Sequence, residues 1–121
     1  MNNKRTLVVG ASENEERYSN KAVKLLRAYN HDVVALGVKS GHIDTVQIST
    51  EINPSEKFDT VTIYVNPSLQ HGYYEQILAL KPNRVIFNPG TENPEFEKKL
   101  KDNNIEPVEA CTLVMLRTNQ F

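Results

Sequence analysis

Short apolar runs rich in β-branched residues alternate along this chain with segments of helical period, and that alternation constrains the fold more than any other feature. Thr6-Leu-Val-Val9, Val61-Thr-Ile-Tyr-Val65 and Arg84-Val-Ile-Phe87 are the strongest runs, with Asp32-Val-Val-Ala-Leu36 and Pro107-Val-Glu-Ala-Cys111 as weaker relatives. Near-continuous runs of this kind suit strands covered on both faces. Between them, Ala22, Leu25, Leu26 and Tyr29 recur at i, i+3, i+4 and i+7, while Lys21, Lys24 and Arg27 fall on the other side, which predicts an amphipathic helix. A second helix is predicted from Asn66-Pro67 through Leu69, Tyr73, Ile77 and Leu80, because Asn caps well and Pro at the first helical position loses no hydrogen bond. A third opens at Asn93-Pro94, carries Glu95 and Glu97 in its first turn and gathers Lys98, Lys99 and Lys101 toward its end, which complements the helix dipole. The stretch from Gly41 to Phe58 has no clean period and reads as a reduced crossover with a candidate short strand at Val46-Gln-Ile48. The tail Leu113-Val-Met-Leu116 is expected to cover the sheet edge, the alternative being an apolar patch for a second copy. This order of elements implies one α/β domain over residues 1–121, with a parallel sheet of about five to six strands and helices on both faces.

At 121 residues the chain has room for one continuous core and none for a second catalytic module. A formal net charge of -1 excludes a global basic field for nucleic acid or an anionic membrane, so any anion must be held locally. No apolar run approaches the ~20 residues of a membrane span, and Met1-Asn-Asn-Lys-Arg5 leads straight into the first run rather than into a signal peptide. A cytoplasmic protein is expected. The single cysteine, Cys111, allows no internal disulfide, and His31, His42 and His71 lack ligand spacing, so no metal is expected.

In an open parallel sheet, ligands bind beyond the carboxyl ends of the strands, where the strand order reverses. Those ends run into Gly10-Ala-Ser12, Gly37-Val-Lys39, Asn66-Pro-Ser68, Asn88-Pro-Gly90 and Cys111-Thr112. Glycine lets backbone approach a ligand closely and Asn or Ser supplies neutral donors, so the rim suits a phosphate-bearing nucleotide. The first loop, Gly10 to Lys21, lacks the G-x-G-x-x-G spacing and is a variant phosphate loop at best. Ser19 is a candidate cap for the helix that follows. Its free N–H groups would then face a pyrophosphate, with Arg17 and Lys21 as counter-charges; the plain alternative is that both are solvated surface cations. Beyond the second strand, where a ribose-binding acid of an NAD site is expected, stands Lys39. A cation there suits the 2′-phosphate of NADP or the 3′-phosphate of coenzyme A, unless it is simply an exposed turn residue.

Gly10-Ala-Ser with Arg17-Tyr-Ser-Asn-Lys-Ala22, Tyr64-Val-Asn-Pro67, Val85-Ile-Phe-Asn-Pro-Gly-Thr-Glu-Asn-Pro94 and Glu109-Ala-Cys-Thr112 together resemble the small stand-alone CoA-binding proteins, which are similar in fold to the CoA-binding domain of succinyl-CoA synthetase α subunits. The resemblance spans nearly the whole chain. It implies a Rossmann-like domain with coenzyme A lying across the strand ends. It further implies that Gly10, Ala11, Ser12, Arg17, Ser19 and Lys21 meet the phosphates, that Gly37 and Lys39 lie near the adenosine end, and that Val65, Asn66, Pro67, Asn88, Pro89 and Gly90 border the site. The ligase's second domain, with its phosphorylated histidine, has no counterpart in a chain of this length. The expected role is therefore non-catalytic binding of CoA or an acyl-CoA, as sensor, carrier or partner subunit. An NADP-linked oxidoreductase and an interaction subunit with a decayed nucleotide site are the alternatives.

Among the remaining residues, Cys111 lies near the predicted rim, where a thiol could pair with CoA, but a buried structural cysteine is the commoner case. His71 has no recognisable triad partner, and His31 and His42 are expected to be solvated. Glu13, Glu15 and Glu16 would repel a phosphate if turned inward, so they are expected to face solvent or to support Arg17.

Overall fold

The computed structural model describes residues 3–121; Met1 and Asn2, the start of the segment read above as no signal peptide, lie outside the described residues. The chain runs β1 (Thr6–Val9), α1 (Tyr18–Ala28), β2 (Val33–Leu36), β3 (Gly41–Ile43), β4 (Val46–Ser49), β5 (Thr60–Ile63), a 3₁₀ segment (Pro67–Tyr73), α2 (Tyr74–Leu80), β6 (Arg84–Phe87), α3 (Pro94–Asp102), β7 (Glu106–Glu109) and α4 (Thr112–Arg117). One sheet contains all seven strands in the order β3-β4-β2-β1-β5-β6-β7. Every pairing is parallel except β3 with β4. No described helix is long and apolar enough to cross a membrane.

The apolar runs became strands because both their faces are covered. Leu7 and Val9 point into one core with Val61, Ile63, Val85 and Phe87, roofed by Ile77 and Leu80 of α2 and by Phe96 and Leu100 of α3. Val8, between them, points the other way with Ala35, Ile48 and Ile86, beneath Val23 and Leu26 of α1, Leu116 of α4 and Phe121. Period two along the strand thus feeds two cores, one on each side of the sheet.

Several local expectations need correction. The stretch from Gly41 is a hairpin before it becomes a crossover: β3 turns back through Asp44, whose φ of 52° lies in the left-handed region that Asp tolerates, and this adds a seventh, antiparallel edge strand. The segment after Asn66 begins as a 3₁₀ helix and turns α-helical only at Tyr74, past the weak helix former Gly72, although Asn66 Oδ1 does accept from the Ser68 N–H as a cap should. Asn93 caps α3 as expected, accepting from the Phe96 N–H. Ser19 does not cap α1. Arg17 occupies that position through its backbone, and Ser19 is buried inside the first turn. His31 is buried rather than solvated, because Asn30 at φ 68° folds the chain back so that His31 Nδ1 accepts from the Lys4 N–H and the ring tilts onto Phe121.

Candidate functional site

The strand order reverses beside β1. β2 and β4 lie on one side of it and β5, β6 and β7 on the other, and the connections leaving β1 and β5 depart toward opposite faces. A cleft of about 760 Å³ opens above this point, at the carboxyl ends of the strands. A second depression, of about 650 Å³, lies at the amino ends of β2 and β4, far from the switch point.

Gly10 forms the floor. Its φ of 94° is a conformation that L side chains rarely adopt, and a Cβ there would come within 3.1 Å of the Tyr64 carbonyl group and Val65 Cγ2. The amides of Gly10 and Ala11 both donate to the Leu36 carbonyl at 2.9 Å, so they fix the loop and are not spare donors. The β1–α1 loop is then held by its own polar residues. Ser12 Oγ accepts from the Asn14 N–H, the Asn20 amide donates to the Ser12 carbonyl, and Glu13 Oε2 accepts from the His42 N–H on β3. α1 starts at the cleft, and its first N–H groups, like those of any helix, have no intrahelical acceptor.

Nine of the residues singled out from sequence line this cleft: Gly10, Ala11, Ser12, Arg17, Ser19, Lys39, Val65, Asn66 and Pro89. The others lie elsewhere. Lys21 is on the exposed side of α1, its ammonium 5.5 Å from the centre of the Tyr18 ring. Gly37 is buried beneath the loop, where a Cβ would sit 2.5 Å from the Ala11 carbonyl oxygen, so its role is close packing of backbone on backbone. Pro67 opens the 3₁₀ segment just outside the cleft. Gly90 adopts a φ of 89° in open space and donates its N–H to Glu92 Oε1. Asn88 is buried and saturated: its amide donates to Thr62 Oγ1 and the Ile63 carbonyl, and its Oδ1 accepts from the Thr112 N–H. None of these five reaches the cleft surface.

Glu13, expected to face solvent or to support Arg17, also lines it, as do Tyr18, Val38, Ser40, Tyr64, Leu69, Tyr73 and Thr91, which sequence reasoning did not assign to the site. Tyr18, Tyr64 and Thr91 stand inside the motifs quoted above, and Leu69 and Tyr73 on the second predicted helix; Val38 and Ser40 had no signal beyond flanking Lys39. Three of the four large apolar side chains left most exposed, Tyr18, Val38 and Leu69, fall on this one cleft. Beneath them, buried Gln70 donates its amide to the carbonyls of Val65 and Thr91 and accepts from Asn93, clamping the loops after β5 and β6 together.

The site's electrostatics are local. Arg17 and Lys39 are exposed at the cleft, and Arg17 makes no ion pair among the described residues. Glu13 is turned to the β3 backbone and Glu15 pairs with Lys24 at 3.1 Å, so neither supports Arg17. Burial pushes the Tyr64 phenol well above its usual range, which keeps it a neutral hydroxyl. No group of three His, Cys, Asp or Glu side chains that could hold a metal occurs among the described residues. His71 stacks on Tyr74 outside the cleft, and Cys111 is half-buried at the start of α4.

Strand order, a glycine-floored cleft at the switch point and a helix N-terminus facing it define a Rossmann-type α/β domain. Residues 4–117 match a family described as a CoA binding domain, and the chain belongs to that family. It is similar over its full length to a crystal structure described as an uncharacterized protein, which it covers completely at 44% identity and a TM-score of 0.96. A hypothetical protein from Pyrococcus horikoshii OT3 shares 25% identity over 96% of this chain and 83% of its own, at a TM-score of 0.87. A Thermus thermophilus protein shares the fold at 24% identity, covering 98% of this chain and 91% of its own, with a TM-score of 0.84. No curated protein matches the chain significantly.

Proposed function

We propose that this chain binds coenzyme A or a CoA thioester in the switch-point cleft without transforming it chemically, and serves as a sensor, carrier or partner subunit. The observation that carries this reading is the pairing of a glycine-floored cleft with two free cations on its β1–β2 side, Arg17 beside the α1 N-terminus and Lys39 after β2, in a chain of the CoA-binding domain family. On this reading Arg17 and the α1 amides face the pyrophosphate, and Lys39 reads the 3′-phosphate. The non-catalytic part is supported by the cleft lining, where no nucleophile is hydrogen-bonded to a base.

Calorimetric titration with CoA, dephospho-CoA and NADP tests the reading. CoA is expected to bind more tightly than NADP. Lys39→Ala should weaken CoA but leave dephospho-CoA nearly unchanged, whereas Arg17→Ala should weaken both, each loss being about 1.5–3 kcal/mol for a charge-assisted contact. Tighter binding of NADP would replace this reading with the oxidoreductase one. Binding of neither would leave an interaction subunit.

A further inference from the structure

Charge is divided unevenly along the cleft. Arg17, Lys39 and Glu13 all stand on the side of β1, α1 and β2, whereas the wall after β5 and β6 is built by Val65, Asn66, Leu69, Tyr73, Pro89 and Thr91, none of which is charged. A ligand that places its phosphates against the cations therefore presents its far end to a neutral wall. That wall includes Leu69 on the 3₁₀ segment, which is 66% exposed. A single exposed leucine needs no explanation, but this one faces a cleft that also exposes Tyr18 and Val38 on its cation-bearing side, so apolar surface is left for a ligand to cover at both ends. The wall is also stiff, since buried Gln70 ties the carbonyls of Val65 and Thr91 together at 2.9 and 2.8 Å.

We propose that the β5–β6 end of the cleft receives the uncharged acyl group of a CoA thioester, so that the site selects neutral acyl-CoAs over free CoA and over acyl-CoAs ending in a carboxylate. The inference rests on the CoA reading above and adds the class of thioester to it. An alkyl chain laid on Leu69, Tyr73 and Val65 removes apolar surface from water on both partners. A terminal carboxylate in the same place would lose hydration with no cation to receive it, because both cleft cations stand at the other end.

The test is calorimetric titration of the full chain with CoA, acetyl-, butyryl-, hexanoyl- and succinyl-CoA. Affinity is expected to rise from acetyl to hexanoyl by about two- to fourfold per methylene. Succinyl-CoA, with the same number of acyl carbons as butyryl-CoA, is expected to bind at least about tenfold more weakly than it. Leu69→Ser should flatten the chain-length series, while Val114→Ser, at another exposed apolar position on α4 outside the cleft, should leave it intact. Equal affinity for CoA and every thioester, or tightest binding of succinyl-CoA, would overturn this inference and leave the CoA reading standing. Failure of every one of these ligands to bind would overturn the CoA reading itself.

Discussion

Asn88 offers the sharpest separation between a ligand contact and a structural one. It sits in an Asn-Pro-Gly turn at the rim, where an amide aimed at the ligand is expected, yet both of its N–H donors and its Oδ1 are engaged inside the protein. Its amide bonds Thr62 Oγ1 at 2.6 Å and the Ile63 carbonyl at 2.9 Å, and its Oδ1 takes the Thr112 N–H at 2.9 Å. Asn88→Ala removes all three. Thr62 keeps a partner in the Thr112 hydroxyl at 2.8 Å, but the Thr112 N–H, in the first turn of α4, is left buried without an acceptor. With about 1 kcal/mol net for each of the two bonds to Thr62 and Ile63 and about 1–3 kcal/mol for the newly orphaned Thr112 N–H, the expected loss is about 3–5 kcal/mol. Urea unfolding followed by circular dichroism would show it as a midpoint about 1.5–2.5 M lower, with a slope near 2 kcal/mol per molar. CoA affinity at low temperature, where the variant remains folded, should change less than twofold. The reasoning is refuted by a variant that keeps its midpoint while losing CoA, because that pattern belongs to a residue that touches the ligand.

Other expectations are simpler to state. Gly10→Val should abolish CoA binding by calorimetry and lower stability by about 1–3 kcal/mol, since a β-branched residue at φ 94° is strained and its Cβ crowds Tyr64 and Val65; normal binding would put the site elsewhere. Gly37→Ala should lower the melting temperature by several degrees through the 2.5 Å approach of its Cβ to the Ala11 carbonyl, and weaken CoA only by shifting that loop; an unchanged melting temperature would show that the loop yields freely. Burial, helped by the nearby positive charges of Lys4 and Arg84 and opposed by Asp59, holds the His31 imidazole below its ordinary value. The folded state therefore resists protonation of His31, and its stabilising share is complete above about pH 6.5 and declines as pH falls from there toward the depressed native value. Urea midpoints measured between pH 5 and 7 should fall with pH in the parent and fall less in His31→Gln; identical slopes would sink the argument.

Strands and helices were legible because their signal is periodic and local. Leu7, Val8 and Val9 read as a strand covered on both faces, and Asn93-Pro94 read as a helix start because Glu95 and Glu97 follow in the first turn and lysines gather at the far end. β3 was not legible, because Gly41-His-Ile43 has too little apolar content to announce a strand and is stabilised by pairing with β4, together with a Glu13 carboxylate reaching from a loop distant in sequence. His31 failed for a similar reason: its burial depends on Lys4 and Phe121, at opposite ends of the chain.

The site divides along the same physical line. Residues whose part in it is a backbone property, Gly10 above all, were readable, because only a turn or a close approach demands glycine at the end of a buried strand. Side chains with two plausible fates were not. Asn88 and Asn66 both precede a proline after a strand, yet Asn88 is buried at 2% exposure and Asn66 lines the cleft, since the Asn88 amide is drawn under α4 by the Thr112 N–H whereas Asn66 caps the 3₁₀ segment that follows it. Lys21 and Arg17 are both cations of the first loop and helix. Arg17 is the N-cap, whose extended backbone lies outside the helix and leaves its side chain at the cleft, whereas Lys21 lies inside α1 on the exposed side, away from buried Ala22, Val23 and Leu26. What separates a cation at the cleft from a surface lysine here is whether the residue precedes α1 or lies within it, and the face that α1 turns outward is set by Val23 and Leu26 packing on the sheet, not by any feature of the loop that carries the charges.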